Sequence, residues 1–166
     1  MELKPISHEA IPAALEKAEQ YRLLNDPVAA ESICHDVLVA DPDNQQALVA
    51  LLLSITDNFG DHVAGAMQRA RAVLPKIQDT YKREYYAGII DERGAMAKWR
   101  HGGAGSGEIA YDWLQRALRH YEKAESMRPH GNDEAILRWN ACVRTLKSDP
   151  QHLHAAHVGE YEPALE

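Results

Sequence analysis

Membrane-spanning runs, cysteine motifs and strand patterns are all missing from this chain, and each absence removes a class of function. The longest apolar run, ALVALLLSI (Ala47 to Ile55), is nine residues. A spanning helix needs roughly 18, so this run reads as a buried core helix. The opening residues, MELKPISHEA, contain no apolar core of a leader, which predicts no secretory signal. Cysteine occurs only at Cys34 and Cys142, with no C-x-x-C pair, so neither a zinc knuckle nor a dithiol redox motif is supported. A disulfide between the two stays open, but buried free thiols in a reducing cytoplasm fit the flanking helical patterns better. Basic charge is also short. The formal net charge of −7 argues against a dedicated nucleic-acid binder, which usually carries a basic face, though not against a local basic patch.

What is present is ordinary globular material. With 166 residues, 45% hydrophobic and 26% charged, the chain is long enough for one domain with a real core. Helical periodicity dominates. Ile11, Ala14, Leu15, Ala18, Tyr21 and Leu24 recur at spacings of three and four within residues 8–25, which is one helical face. NDP (Asn25 to Pro27) ends that helix and starts a second over 27–40, because proline suits a first turn and disfavours helix in the residue before it. DPDN (Asp41 to Asn44) is a turn whose Asx residues can cap a third helix over 45–57. Further helices are expected over 62–74, 78–100, 107–128 and 132–147. The expected fold is all-α, a single domain over 1–147, followed by a polar, acidic tail over 148–166.

Glycine gathers in one place, HGGAGSGE (His101 to Glu108). Gly102 and Gly107 have the spacing of a phosphate-binding loop, which needs a preceding strand, then Lys and Ser or Thr. Here the preceding DERGAMAKWRH is helical, Glu108 would repel phosphate, and Ile109 cannot hold magnesium. The stretch is expected to be a hairpin tip, with no nucleotide and no other cofactor. His152, His154 and His157 invite a metal, but no Cys, Asp or Glu beside them completes a ligand set. Cys34 and His35 are adjacent on a helix and point about 100° apart, so they form no catalytic couple. The acid pairs Asp91–Glu92 and Asp133–Glu134 suit solvated faces and first turns, with Asn132 as the N-cap before the second pair. Tyr81, Tyr85 and Tyr86 are mostly core.

Comparing helix pairs exposes an internal repeat. Residues 11–44, IPAALEKAEQYRLLNDPVAAESICHDVLVADPDN, resemble a tetratricopeptide (TPR) repeat. Taking Ile11 as position 1, Ala18, Tyr21, Ala30 and Pro42 occupy the small, aromatic, small and proline positions of that motif. Ala117, Tyr121, Ala124 and Pro129 match the second helix of a later unit, and Ala64 and Pro75 match a middle one more weakly. Ala14 and Lys17 depart from the pattern by replacing bulky residues, and an irregular helical bundle is the alternative. From Pro42 to Pro75 is 33 residues and from Pro75 to Pro129 is 54, so the third unit is elongated into two long helices. RPHGNDEAILRWNACVR (Arg128 to Arg144) is similar to the end of an uncharacterised group of bacterial TPR proteins, which implies no activity.

The resemblance implies an α-solenoid of about three helix pairs plus a C-terminal capping helix, whose first helices line a concave groove. The groove positions fall on Leu15, Glu19 and Arg22 in the first unit and on Gln46, Val49, Leu53 and Thr56 in the second. On the last helix they fall on Ile136, Asn140 and Arg144. In the long helix, where the register is open, Tyr86 and Arg93 are the candidates. The subclass that clamps chaperone carboxylates needs Lys and Asn where Leu15 and Glu19 stand, so that subclass is not implied. The expectation is a cytoplasmic, non-enzymatic adaptor or chaperone that binds a protein or peptide segment, and neither nucleic acid nor membrane. The alternative is a homodimer, with end helices or the acidic GEYEPALE in a neighbour's groove.

Overall fold

The computed structural model describes residues 1–60, 63–149 and Leu153. Among them there are seven α-helices and no strand: α1 (Ile11–Leu23), α2 (Pro27–Ala40), α3 (Gln45–Asp57), α4 (Val63–Val73), α5 (Thr80–His101), α6 (Ser106–Ser126) and α7 (Glu134–Ser148). The boundaries follow local chemistry. Asp26 accepts a hydrogen bond from the Ala29 N–H at 3.1 Å, with Pro27 opening α2. Asn44 accepts from the Ala47 N–H at 2.9 Å, and Asp79 accepts from the Lys82 N–H at 3.0 Å. Each satisfies one of the orphan donors of a helix start. The expected start of α1 at residue 8 is corrected: His8–Ala10 is a separate 3-10 turn. At α7 the N-cap is Asp133, but Asn132 still supplies the capping oxygen, accepting from the Glu134 N–H at 3.0 Å.

Each helix packs against the next one in sequence, and α1 also touches α3, as α3 touches α5. The α5–α6 pair makes the most extensive contact. Burial in the second helix of each pair repeats along the chain. Ala30, Cys34 and Val37 of α2 are matched by Val63, Met67 and Ala70 of α4, and by Ala117, Tyr121 and Ala124 of α6. The three sets keep the spacings of Pro42, Pro75 and Pro129. This corrects the middle unit: Ala64, assigned to the small buried position, is exposed, and Val63 takes it.

Two glycines on α5 set close approaches, Gly88 to α6 and Gly94 to α4. A Cβ on Gly88 would lie 2.5 Å from Cε1 of Tyr121, and one on Gly94 would collide with Sδ of Met67. The glycine-rich stretch joins α5 to α6 as a turn, with Gly102, Gly103 and Gly105 at positive φ, a region glycine enters without Cβ strain. No strand precedes it.

Candidate functional site

The clearest concavity that gathers the expected residues lies between α1 and α3. It is a cleft of about 460 Å³. Leu15, Val49, Ala50 and Leu53 supply an apolar floor, and Glu16, Glu19, Gln20, Arg22, Leu23 and Gln46 form the rim. Leu15 is buried, Val49 and Leu53 are half-buried, and Gln46 and Glu19 are exposed. The spacing explains the arrangement. Residues three and four apart share a helical face, so Leu15, Glu19 and Arg22 present one side of α1 to Gln46, Val49 and Leu53 on α3.

A chain of ion pairs runs from the cleft residues Glu19 and Arg22 to Asp57 and on to α5. Arg22 donates from Nε to Oδ2 of Asp57 at 2.8 Å and from one terminal nitrogen to Oε2 of Glu19 at 3.0 Å. Arg93 of α5 donates to Thr56 Oγ1 at 2.7 Å and pairs with Asp57. The Thr56 hydroxyl in turn donates to the Leu53 carbonyl at 2.9 Å. Thr56 is therefore 3% exposed and corrects its expected role: it braces Arg93 and does not line the cleft. Arg93 acts with it, tying α5 to α3. At the other end of α3 the Gln45 side chain accepts from the Gln78 N–H at 2.8 Å and donates to the Lys76 carbonyl at 3.3 Å. The cleft is thus fixed to the α4–α5 connection as well.

The remaining expected residues lie elsewhere. Tyr86 packs half-buried between the two main core clusters. Burial, then the neighbouring Tyr85, pushes its phenol up to about 12. Ile136, Asn140 and Arg144 sit on α7, which packs against α6, and none of them lines the α1–α3 cleft. Leu23, which does line it at 79% exposure, was not assigned to the groove. Its register was visible, one turn beyond Glu19.

Asp91 and Glu92 overturn their reading as a solvated pair. Asp91 is 1% exposed. Its Oδ1 accepts from Arg116 at 2.9 Å and is also paired with Arg71, while Nε2 of His120 lies 3.8 Å from Oδ2. Oε2 of Glu92 accepts from the fully buried Tyr121 hydroxyl at 2.5 Å, and Oε1 accepts from Arg138 at 3.3 Å. Burial, the Glu92 charge and that hydrogen bond all hold the Tyr121 phenol far above its ordinary value. Glu84 is bound by Lys123 at 2.5 Å and by His120 at 2.9 Å. Burial alone would raise its carboxyl, but those two partners outweigh it and hold it below the ordinary range. Sequence offered one signal for this burial: the acids follow Gly88, Ile89 and Ile90 and precede Gly94 and Ala95, so apolar and small residues flank them on one helix.

Both thiols are free and buried. Desolvation lifts Cys34 to about 11 and Cys142 to about 12, so neither is an activated nucleophile. Among the described residues no group of three or more His, Cys, Asp or Glu is arranged to hold a metal. His152, His154 and His157 lie outside the described residues. Among those described, no helix is long and apolar enough to cross a membrane. The chain matches no protein-family model, no curated protein and no solved structure.

Proposed function

We propose that the chain is a TPR-like helical-repeat module that binds a segment of another protein in the α1–α3 cleft and performs no chemistry itself. One observation carries the reading. Six residues assigned to the inner face by repeat register, Leu15, Glu19, Arg22, Gln46, Val49 and Leu53, line a single cleft. The recurrence of burial in α2, α4 and α6 and the α1–α3 and α3–α5 contacts support the solenoid arrangement. An apolar floor with a polar rim suits a peptide anchored by aliphatic side chains. Two buried free thiols are compatible with a reducing, cytoplasmic setting, and the reading requires neither nucleic acid nor membrane.

Selection of a phage-displayed random peptide library on the folded chain tests this. Peptides enriched on the native chain should lose at least about tenfold in affinity on a Leu23→Ser/Gln46→Trp variant, because hot-spot contacts in a cleft dominate binding. Both positions are exposed enough to leave the fold intact. Unchanged affinity for the variant removes the cleft from the reading.

A second reading is self-association. Leu23, Leu24 and Val28 are 79%, 75% and 63% exposed around the α1–α2 turn, and apolar clusters of this kind mark contact surfaces. Light scattering decides it: a dimer mass that falls to the monomer value in Leu24→Lys supports a homodimer through this end. A monomeric native chain excludes it. The acidic GEYEPALE lies outside the described residues, but its three glutamates make it a poor match for a cleft rimmed by Glu16 and Glu19.

A further inference from the structure

The rim of the α1–α3 cleft is unbalanced in charge. Glu16 and Glu19 line it, and Asp57, outside the lining, pairs with the lining Arg22. Among the described residues, the cations paired with these carboxylates are Arg22, on Glu19 and Asp57, and Arg93, on Asp57. Both guanidinia are already engaged: Arg22 bridges Glu19 and Asp57, and Arg93 holds Asp57 and Thr56. Glu16 has no ion pair among the described residues, so one carboxylate beside the apolar floor is left without a cation. No guanidinium at the rim is left over to receive an anionic ligand.

The geometry on α1 is as telling as the charge. Glu16, Glu19, Gln20 and Leu23 fall at spacings of three and four and form one stripe along the helix. Leu23 is largely exposed at the end of that stripe. A lysine or arginine side chain has the matching shape, an aliphatic stem to cover Leu23 and a cationic head to reach Glu19 or Glu16. Across the cleft, Gln46 offers both amide donors and an acceptor to a backbone, while Val49, Ala50 and Leu53 receive an aliphatic neighbour.

Resting on the peptide-binding reading above, we infer that the occupant of this cleft is a cationic aliphatic segment, in which Lys or Arg alternates with Leu-like residues along one face. Acidic segments are refused by Glu16 and Glu19. The chain's own GEYEPALE falls in that refused class.

Fluorescence anisotropy with two labelled probes tests the inference. One is a peptide of about 12 residues built from Leu, Ala and Lys; the other has every Lys replaced by Glu. The Lys peptide should bind and the Glu peptide should not. Replacing both rim acids, Glu16→Gln with Glu19→Gln, should weaken the Lys peptide by about tenfold, in keeping with two partly exposed charge pairs. Raising NaCl from about 0.05 M to about 0.5 M should weaken it in parallel, as screening predicts. The Leu23→Ser/Gln46→Trp variant keeps the net charge and must also lose the Lys peptide, which separates cleft binding from attraction to an acidic protein. Equal binding of both probes, lost in that variant, overturns the cationic preference and leaves the cleft reading standing. Lys-peptide binding that the variant does not weaken, or no binding of either probe, overturns this inference.

Discussion

Gly88→Ala puts the packing of α5 on α6 to a direct test, because two effects of opposite sign compete at one residue. In a helix interior, alanine is favoured over glycine by about 1 kcal/mol. Against that, the new Cβ would stand 2.5, 2.7 and 2.9 Å from Cε1, Cδ1 and Cζ of Tyr121, far inside carbon–carbon contact. The ring cannot swing clear. It is fully buried, and its hydroxyl is held on Glu92 at 2.5 Å. Overpacking of a filled core costs about 1–3 kcal/mol, and losing part of the charge-assisted bond to Glu92 adds about 1 kcal/mol or more. The net expectation is a loss of about 1–3 kcal/mol, or several degrees in Tm for a chain of this size, at about 2–4 °C per kcal/mol. Gly65→Ala is the matched control. It lies in α4 with nothing within 4 Å of its would-be Cβ, so the same substitution should raise stability by about 0.5–1 kcal/mol. Urea unfolding followed by far-ultraviolet circular dichroism measures both. A Gly88→Ala variant as stable as the native chain would refute the close approach of the two helices.

Asp91→Ala should destabilise the chain by about 2 kcal/mol, since Arg71 and Arg116 lose their shared carboxylate but can still reach water; the same urea titration reads it, and a change below about 0.5 kcal/mol would dismiss the network as a stabilising element. Alkaline stability should begin to fall near pH 9, from the ordinary thiol value, not only above 10. Cys34, Cys142 and Tyr86 have folded-state values raised to about 11, 12 and 12. Their contribution is whole below the unfolded values and is lost as the unfolded chain releases protons first. Replacing both cysteines with alanine should flatten the decline between pH 9 and about 11, which urea midpoints at stepped pH will show. In the native state both thiols should resist maleimide labelling and then react fully in denaturant; a fast native reaction at either would contradict their burial.

The helix boundaries were readable because caps and prolines act within three or four residues. Asp26 and Asn44 needed no tertiary information to place α2 and α3. The six cleft residues came from the groove positions that the repeat resemblance implies, and helical spacing puts those of each helix on one face. Burial of Asp91 and Glu92 was not, because their partners come from α4, α6 and α7, between 20 and 46 positions away. The fate of Thr56 depended equally on Arg93, 37 positions on. In the middle unit, alanine composition pointed to Ala64, whereas the prolines' own spacing pointed one residue earlier to Val63. Periodic spacing was the better guide there because it reports which side of the helix faces inward.

The buried triads of α2, α4 and α6 have an implication for which residues can be exchanged singly. Their central member grows along the chain, from Cys34 to Met67 to Tyr121. The two larger ones are met by Gly94 and Gly88 on α5. Volume gained on one helix is met by a missing side chain on its neighbour. Exchanging Met67 or Tyr121 for a residue from another helix without its α5 partner would separate partners that belong together, and a side chain at Gly88 or Gly94 would meet the larger one. What must change together is the facing pair, Met67 with Gly94 and Tyr121 with Gly88, and not one helix alone.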